Sequence, residues 1–190
     1  MKLFHIALAG FLSLAAFAGS AFSAAAADLL TIQLKDGPVV IQLMPEVAPK
    51  HVAQIEALAK KGAYDNVVFH RVIDGFMAQT GDVQYGNTTK GYDANKAGTG
   101  GSDLPNIPAE FSKVPFQRGT VGMARAQDPN SANSQFFIMF ANGDFLNGQY
   151  TVVGKVISGM ELVDKIKRGE GQNGEVSNPD KMIKVTVTKK

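Results

Sequence analysis

The chain has no cysteine and only three histidines, and both shortages exclude chemistry. Without cysteine there is no disulfide, thiolate metal ligand, thiol nucleophile or lipid-modified thiol to consider. Beyond the N-terminal leader described below only His51 and His70 remain, too few for a zinc site built on imidazoles. Charged residues are sparse at 19%, with a formal net charge of +2. No basic stripe concentrates that excess, which argues against nucleic acid as a partner. No Gly-x-Ser-x-Gly elbow offers a serine nucleophile. The run Gly98-Thr99-Gly100-Gly101 lacks the Lys-Ser/Thr of a phosphate loop and by composition reads as a flexible turn. There is no internal repeat.

What is present describes one globular domain of ordinary size. The 190 residues are 45% hydrophobic, enough for a proper core. Lys2 is the only Lys, Arg, Asp or Glu before Asp28. An apolar stretch from Leu3 to Ala18 gives way to small residues ending in Ala25-Ala26-Ala27, the layout of a secretory signal peptide. The stretch is short and Ala-rich and has no basic flank to stop transfer, so a permanent anchor is the weaker reading. We therefore take 1–27 as the leader and 28–190 as the domain. The expectation is export without stable membrane insertion. The domain carries 18 basic against 17 acidic residues and is nearly neutral.

Leu30, Ile32 and Leu34 alternate with other residues, Lys35-Asp36-Gly37 breaks the run, and Val39 to Leu43 resumes it, predicting two strands around a turn. Pro49 suits a first helical turn. Val52, Ile55 and Leu58 keep helical spacing until Gly62. A second helix is expected over Met160 to Arg168. Short strands are expected over 67–72, 76–80, 120–124, 135–140, 150–156 and through Ile183, Val185 and Val187. Many short strands with two helices predict a closed antiparallel barrel. Residues 84–106 form a long polar loop, of the kind that is often functional.

Two segments carry the candidate chemistry. In Gln135-Phe136-Phe137-Ile138-Met139-Phe140, alternation puts Phe136, Ile138 and Phe140 on one face and Gln135, Phe137 and Met139 on the other. One face fills the core, while the other joins a large aromatic to an amide. A strand simply buried on both faces explains the pattern about equally well. In Phe69 to Asp82, Asp74-Gly75 is a strong hairpin signal. It brings Arg71 beside the 76–79 strand, so that a cation, an amide and apolar groups share a surface. A lone arginine is more often a solvated charge, and His70 reads as a satisfied, partly buried histidine.

Together these segments resemble the cyclophilin signature. Phe69-His70-Arg71-Val72-Ile73-Asp74-Gly75-Phe76-Met77-Ala78-Gln79-Thr80-Gly81-Asp82 is followed, in the family's order, by Asn133-Ser134-Gln135-Phe136-Phe137-Ile138. Gly98-Thr99-Gly100-Gly101, Gly122-Met123-Ala124-Arg125-Ala126 and Phe145-Leu146-Asn147-Gly148 extend the likeness over nearly the whole domain. The resemblance is nearest to the periplasmic cyclophilins of Gram-negative bacteria. It implies an eight-stranded antiparallel barrel capped by two helices, and a peptidyl-prolyl cis-trans isomerase needing no metal or cofactor. It further implies that Arg71 is catalytic, helped by Gln79, and that Phe76, Met77, Phe137 and Leu146 line a proline pocket. Gln79 and Gln135 match the amides that bind peptide backbone. Arg125 stands where main-chain groups meet substrate, flanked by Ala124 and Ala126, with Gly98 nearby.

Phe145 stands where many members have Trp, and Tyr150 where many have His. Both keep a ring by the pocket, but the indole donor is lost, so weak cyclosporin binding is expected. The implied partners are proline-containing, unfolded or partly folded polypeptides, met by a periplasmic monomer that assists folding. Two other classes compete: a chaperone that holds proline segments without turning them over, and a barrel carrier for small apolar ligands. Arg71 favours the enzyme over the first. Large residues expected inside the barrel disfavour the second.

Overall fold

The structure, a computed structural model, describes residues 28–171 and 173–189, so the expected leader 1–27 and its cleavage site lie outside the described residues. The elements run β1 (Leu29–Leu34), β2 (Gly37–Leu43), α1 (Pro49–Lys60), β3 (Val67–Val68), β4 (Arg71–Ile73), β5 (Met77–Thr80), β6 (Thr120–Met123) and β7 (Phe136–Met139). A 3-10 turn over Asp144–Leu146 follows, then β8 (Val152–Ser158), α2 (Met160–Val163), β9 (Lys181–Met182) and β10 (Lys184–Thr188). No helix among the described residues is long and apolar enough to cross a membrane.

Eight strands form one antiparallel sheet in the order β10-β1-β2-β8-β6-β7-β5-β4, and β3 pairs with β9 alone. The expected closed barrel is corrected to a strongly curled half-barrel, because β10 and β4 end the sheet without pairing. The reason lies at the edge of β4. Val72 N–H donates to the Gly174 carbonyl at 2.7 Å, Gly169 N–H to the Val72 carbonyl at 2.8 Å, and Val176 N–H to the His70 carbonyl at 3.2 Å. Gly169, Gly174 and Val176 thus satisfy the edge that closure would have used.

Local chemistry explains the elements near the site. Pro49 opens α1, and Gly62 (φ 65°) ends it, its N–H reaching the Ala59 carbonyl and Ala63 N–H the Leu58 carbonyl. The second helix is shorter than expected, four residues instead of nine. After Asp164 the N–H groups of Lys165 and Ile166 bond three residues back, and Lys167 N–H goes to the Asp180 carboxylate at 2.8 Å. That carboxylate takes the donor which a continuing helix needs. The expected 67–72 strand divides into β3 and β4, which serve different sheets. At the end of the chain, a bend at Ile183 leaves that side chain exposed while Val185 is buried.

The inner face of the sheet is packed solid. Phe136, Ile138 and Phe140 join Leu30, Ile32 and Ile41 with Val52, Ile55 and Leu58 of α1. Tyr64 meets Phe136 edge-on with centroids 5.6 Å apart, and its hydroxyl donates to the Ser134 carbonyl at 2.9 Å. Complete burial raises the Tyr64 pKa. This filled interior weighs against a small-ligand carrier.

Candidate active site

Alternation along β7 sends Phe137 and Met139 to the outer face, where a second apolar cluster forms with Met77, Phe116, Leu146 and Val152. The strand is therefore buried on both faces, by two different clusters. Phe137 stacks on Phe116 at 5.7 Å and meets Tyr150 edge-on at 5.9 Å. Gly122 lies beneath: a Cβ there would approach Phe116 and Phe137 ring atoms to 2.5 Å. Phe76 and Tyr150 extend this cluster outward, and Phe145, 65% exposed, lies against Phe76 with centroids 5.4 Å apart.

The result is a cleft of about 430 Å³ lined by Arg71, Phe76, Met77, Gln79, Ala124, Arg125, Phe137, Phe145, Leu146, Gln149 and Tyr150. A second cleft of about 240 Å³ adjoins it, sharing Gln79, Ala124 and Arg125 and adding Gly98, Ala126 and Gln135 among others. Every residue that the resemblance assigns to catalysis or substrate binding lines one cleft or both.

Arg71 reaches the apolar cleft from the edge strand. The hairpin pairs Arg71 with Gln79 and Ile73 with Met77 around Asp74–Phe76, with Gly75 at φ 68°. Arg71 Nε donates to the Asn173 carbonyl at 2.9 Å, and Nη1 lies 3.4 Å from Gln79 Oε1 and 3.9 Å from Met77 Sδ. Partial burial lowers its pKa, with Tyr150 opposing, yet a guanidinium remains protonated at any ordinary pH.

Behind Arg71 runs a chain of amides. Gln79 Nε2 donates to Gln135 Oε1 at 3.0 Å, and Gln135 Nε2 donates to the carbonyls of Gly98 at 3.0 Å and Gly100 at 2.8 Å. Both N–H groups of Gln135 are thereby committed to the loop, so its effect on the cleft passes through Gln79. Arg125's own N–H and carbonyl bond nothing among the described residues, whereas Ala124 N–H goes to the Gln135 carbonyl and Ala126 N–H to Ser131 Oγ.

Several supports escaped the sequence. The Asp82 carboxylate, fully buried, accepts N–H bonds from Gln84, Tyr85, Gly98 and Gly100 at 2.7–3.1 Å. Asn133 Oδ1 accepts from Ser102 N–H and Oγ at 2.7 Å, while its Nδ2 donates to the Leu104 carbonyl at 2.9 Å. These bonds give the long 84–106 loop its fixed shape. Gln149 and Asn173 carried no sequence signal, because each acts through position and main-chain atoms. His70 is buried as expected, with neither ring nitrogen at full hydrogen-bond geometry among the described residues, although the Gln135 side chain and the Val68 backbone lie close enough to favour its protonated form. Burial pushes its pKa down to about 4, opposed by Asp82 and aided by Arg71. The described residues hold no group of three His, Cys, Asp or Glu side chains able to hold a metal.

The model of the family "Cyclophilin type peptidyl-prolyl cis-trans isomerase/CLD" matches residues 29–188. The chain belongs to the cyclophilin family. This cyclophilin is 62% identical over 191 residues to a "Probable peptidyl-prolyl cis-trans isomerase" of Brucella suis biovar 1 (strain 1330), covering 98% of this chain and 97% of the relative. It is 36% identical over 176 residues to "Peptidyl-prolyl cis-trans isomerase B" of Escherichia coli (strain K12), covering 84% and 99%. Among solved structures, a cyclophilin from Hirschia baltica superposes with TM-score 0.69 at 28% identity, over 83% of this chain and 73% of the other. A cyclophilin type isomerase from Cryptosporidium parvum, solved in the presence of the dipeptide Ala-Pro, gives 0.68 at 26%, over 85% and 99%.

Proposed function

We propose that this cyclophilin, a peptidyl-prolyl cis-trans isomerase by family, rotates X–Pro bonds of exported polypeptides with Arg71 as the catalytic donor. One observation carries the assignment. Of the two arginines lining the cleft, Arg71 is the one whose Nη1 lies beside Met77 Sδ of the apolar wall and Gln79 Oε1, and only uncharged acceptors hold it in place.

The X–Pro bond resists rotation because nitrogen donates its lone pair into the carbonyl, with a barrier of ~18–20 kcal/mol. As the bond twists, resonance is lost and the nitrogen becomes a basic acceptor. A donor aimed at that nitrogen gains a bond only in the twisted state, so it lowers the barrier without tightening the ground state. Arg71 Nη2, with no partner among the described residues, supplies the N–H. The apolar cleft holds the proline ring while the rest of the peptide turns. Gln79 has one further N–H for the moving carbonyl, and Gln135 keeps Gln79 in place. The free main-chain groups of Arg125 receive the neighbouring backbone, between Ala124 and Ala126. Phe76, Phe145 and Tyr150 border the proline, and Gly98 admits the chain into the adjoining cleft.

Residues 1–27 direct the chain to the periplasm, supported by the lone Lys2, the apolar run and Ala25-Ala26-Ala27. The family match starting at residue 29 agrees with a domain that begins just after them.

The test is NMR exchange of a short X–Pro peptide with wild type and Arg71→Ala. The expected loss is at least ~2 kcal/mol of transition-state stabilisation, about thirtyfold or more in rate, with peptide binding retained. Full turnover in the variant would remove Arg71 from the mechanism. Binding without faster exchange in wild type would make the protein a holding chaperone.

A further inference from the structure

The four arginines divide into two pairs. Arg118 meets Asp164 at 2.6 Å, and Arg168 meets Asp74 at 2.9 Å. Arg71 and Arg125 have no carboxylate within 4 Å among the described residues, and these two line the proline cleft. Among the described residues, no acidic side chain lines that cleft or the one adjoining it. A nearly neutral domain thus gathers two arginines without ion pairs where peptide binds, and only Arg125 has no acid in an adjoining recess. Glu175, bridged to Arg71 along the backbone, lines with Arg71, Gln79 and Gly98 a further recess beside His70 but makes no ion pair with Arg71.

Arg71 is occupied with the imide, but Arg125 has no such task for its side chain. Its Nη1 donates to the carbonyls of Ala126 at 2.8 Å and Gln127 at 3.2 Å. Nη2 and Nε reach the Gln149 carbonyl at 3.0 and 3.4 Å. The guanidinium lies over the Tyr150 ring, 4.5 Å from its centroid, and Tyr150 in turn abuts Phe137 on the floor of the proline cleft. Four of the five N–H groups are therefore fixed by neutral acceptors. One N–H and the whole charge are left, preorganised in the wall shared by the two clefts. A fixed cation held by carbonyls and a ring needs little reordering to meet an anion, and it repels another cation.

We propose that the Arg125 side chain is a specificity determinant, making the enzyme selective for proline segments with an acidic side chain close to the proline. This rests on the isomerase reading above, since it names which X–Pro substrates are turned over best.

The test is kcat/KM for peptides carrying Glu, Gln or Lys in turn at each of the two positions on either side of proline. At the position facing Arg125, Glu is expected to exceed Lys by about fivefold, in the range of a half-exposed charge pair. The ratio should fall toward one at about 1 M salt. Arg125→Gln should collapse the ratio whatever it does to the absolute rates, Arg125→Glu should invert it, and Arg125→Lys should keep its sign. Equal turnover of the three peptides by wild type would overturn the inference and leave the isomerase standing. So would an acidic preference that survives Arg125→Gln, which would belong to Arg71. No exchange with any peptide would sink the isomerase reading and this inference with it.

Discussion

The two faces of β7 carry side chains of nearly the same size and meet opposite fates. Phe136 on the inner face is sealed by Tyr64 and the helix α1 cluster. Phe137, one residue on, is only 5% exposed yet forms the floor of an open cleft. The difference lies in what covers each face. A helix and the curl of the sheet close the inner one, whereas over the outer one lie partly buried side chains such as Ile73, Phe76, Val114 and Tyr150, with Phe145 against Phe76. The inner cluster therefore serves stability, and the outer one leaves apolar surface that a proline ring can complete.

The sharpest way to break that comparison is to truncate each phenylalanine. Phe136→Ala should cost ~3–5 kcal/mol of folding stability in a denaturant titration. The molecules still folded should keep their turnover. Phe137→Ala should cost less stability, because its cleft admits water, and should lose most peptide binding. Equal stability losses with equal activity losses would erase the distinction between the faces.

A comparable effect is expected at the loop that walls the second cleft. Asp82→Ala removes the acceptor of four buried or half-buried N–H groups and should cost ~3 kcal/mol or more. Hydrogen exchange should speed up at Gly98 and Gly100 before it does in β7. Unchanged protection at those two glycines would mean that Gln135 alone holds the loop.

His70 tests the electrostatics beneath the site. Its folded pKa of about 4 lies below the ordinary value of 6.5, so the unfolded chain binds more protons between those values. Its contribution to stability is then fully present above pH 6.5 and is lost as pH falls toward 4, by ~2–3 kcal/mol. His70→Gln should flatten that part of the pH–stability curve. A curve of the same slope in the variant would assign the loss to other groups.

The smallest expected effect is at the outermost ring. Phe145→Trp, at a 65% exposed position, should change stability by less than ~0.5 kcal/mol. It adds an indole donor at the mouth and should tighten a weak binding of cyclosporin, measured by calorimetry. Nanomolar affinity in wild type would show that the missing donor does not matter.

How much of this was legible in advance depends on the range of the interaction. The Asp74-Gly75 turn and the alternation through Phe140 placed Arg71 beside Gln79 and separated Phe136 from Phe137. Helix α1 was marked by Pro49 and Gly62. Each is a rule acting over a few residues. The second helix is shorter than its apolar spacing predicts because its end depends on Asp180, thirteen residues from the Lys167 N–H it captures. The sheet stays open where strand counting predicts closure, because Gly169, Gly174 and Val176 take the β4 edge.

By itself the sequence determined the local pieces: which residues alternate, where the chain turns, and which motifs tie it to a family. Only the tertiary structure decided how those pieces become a site. It set Arg71 on a carbonyl 102 residues away, turned the Gln135 amide inward to the loop, and left Arg125 without a carboxylate partner among the described residues. Steric and periodic preferences are written into neighbouring residues. The partners of a polar group depend on which distant segments arrive beside it, and only packing the whole chain settles that.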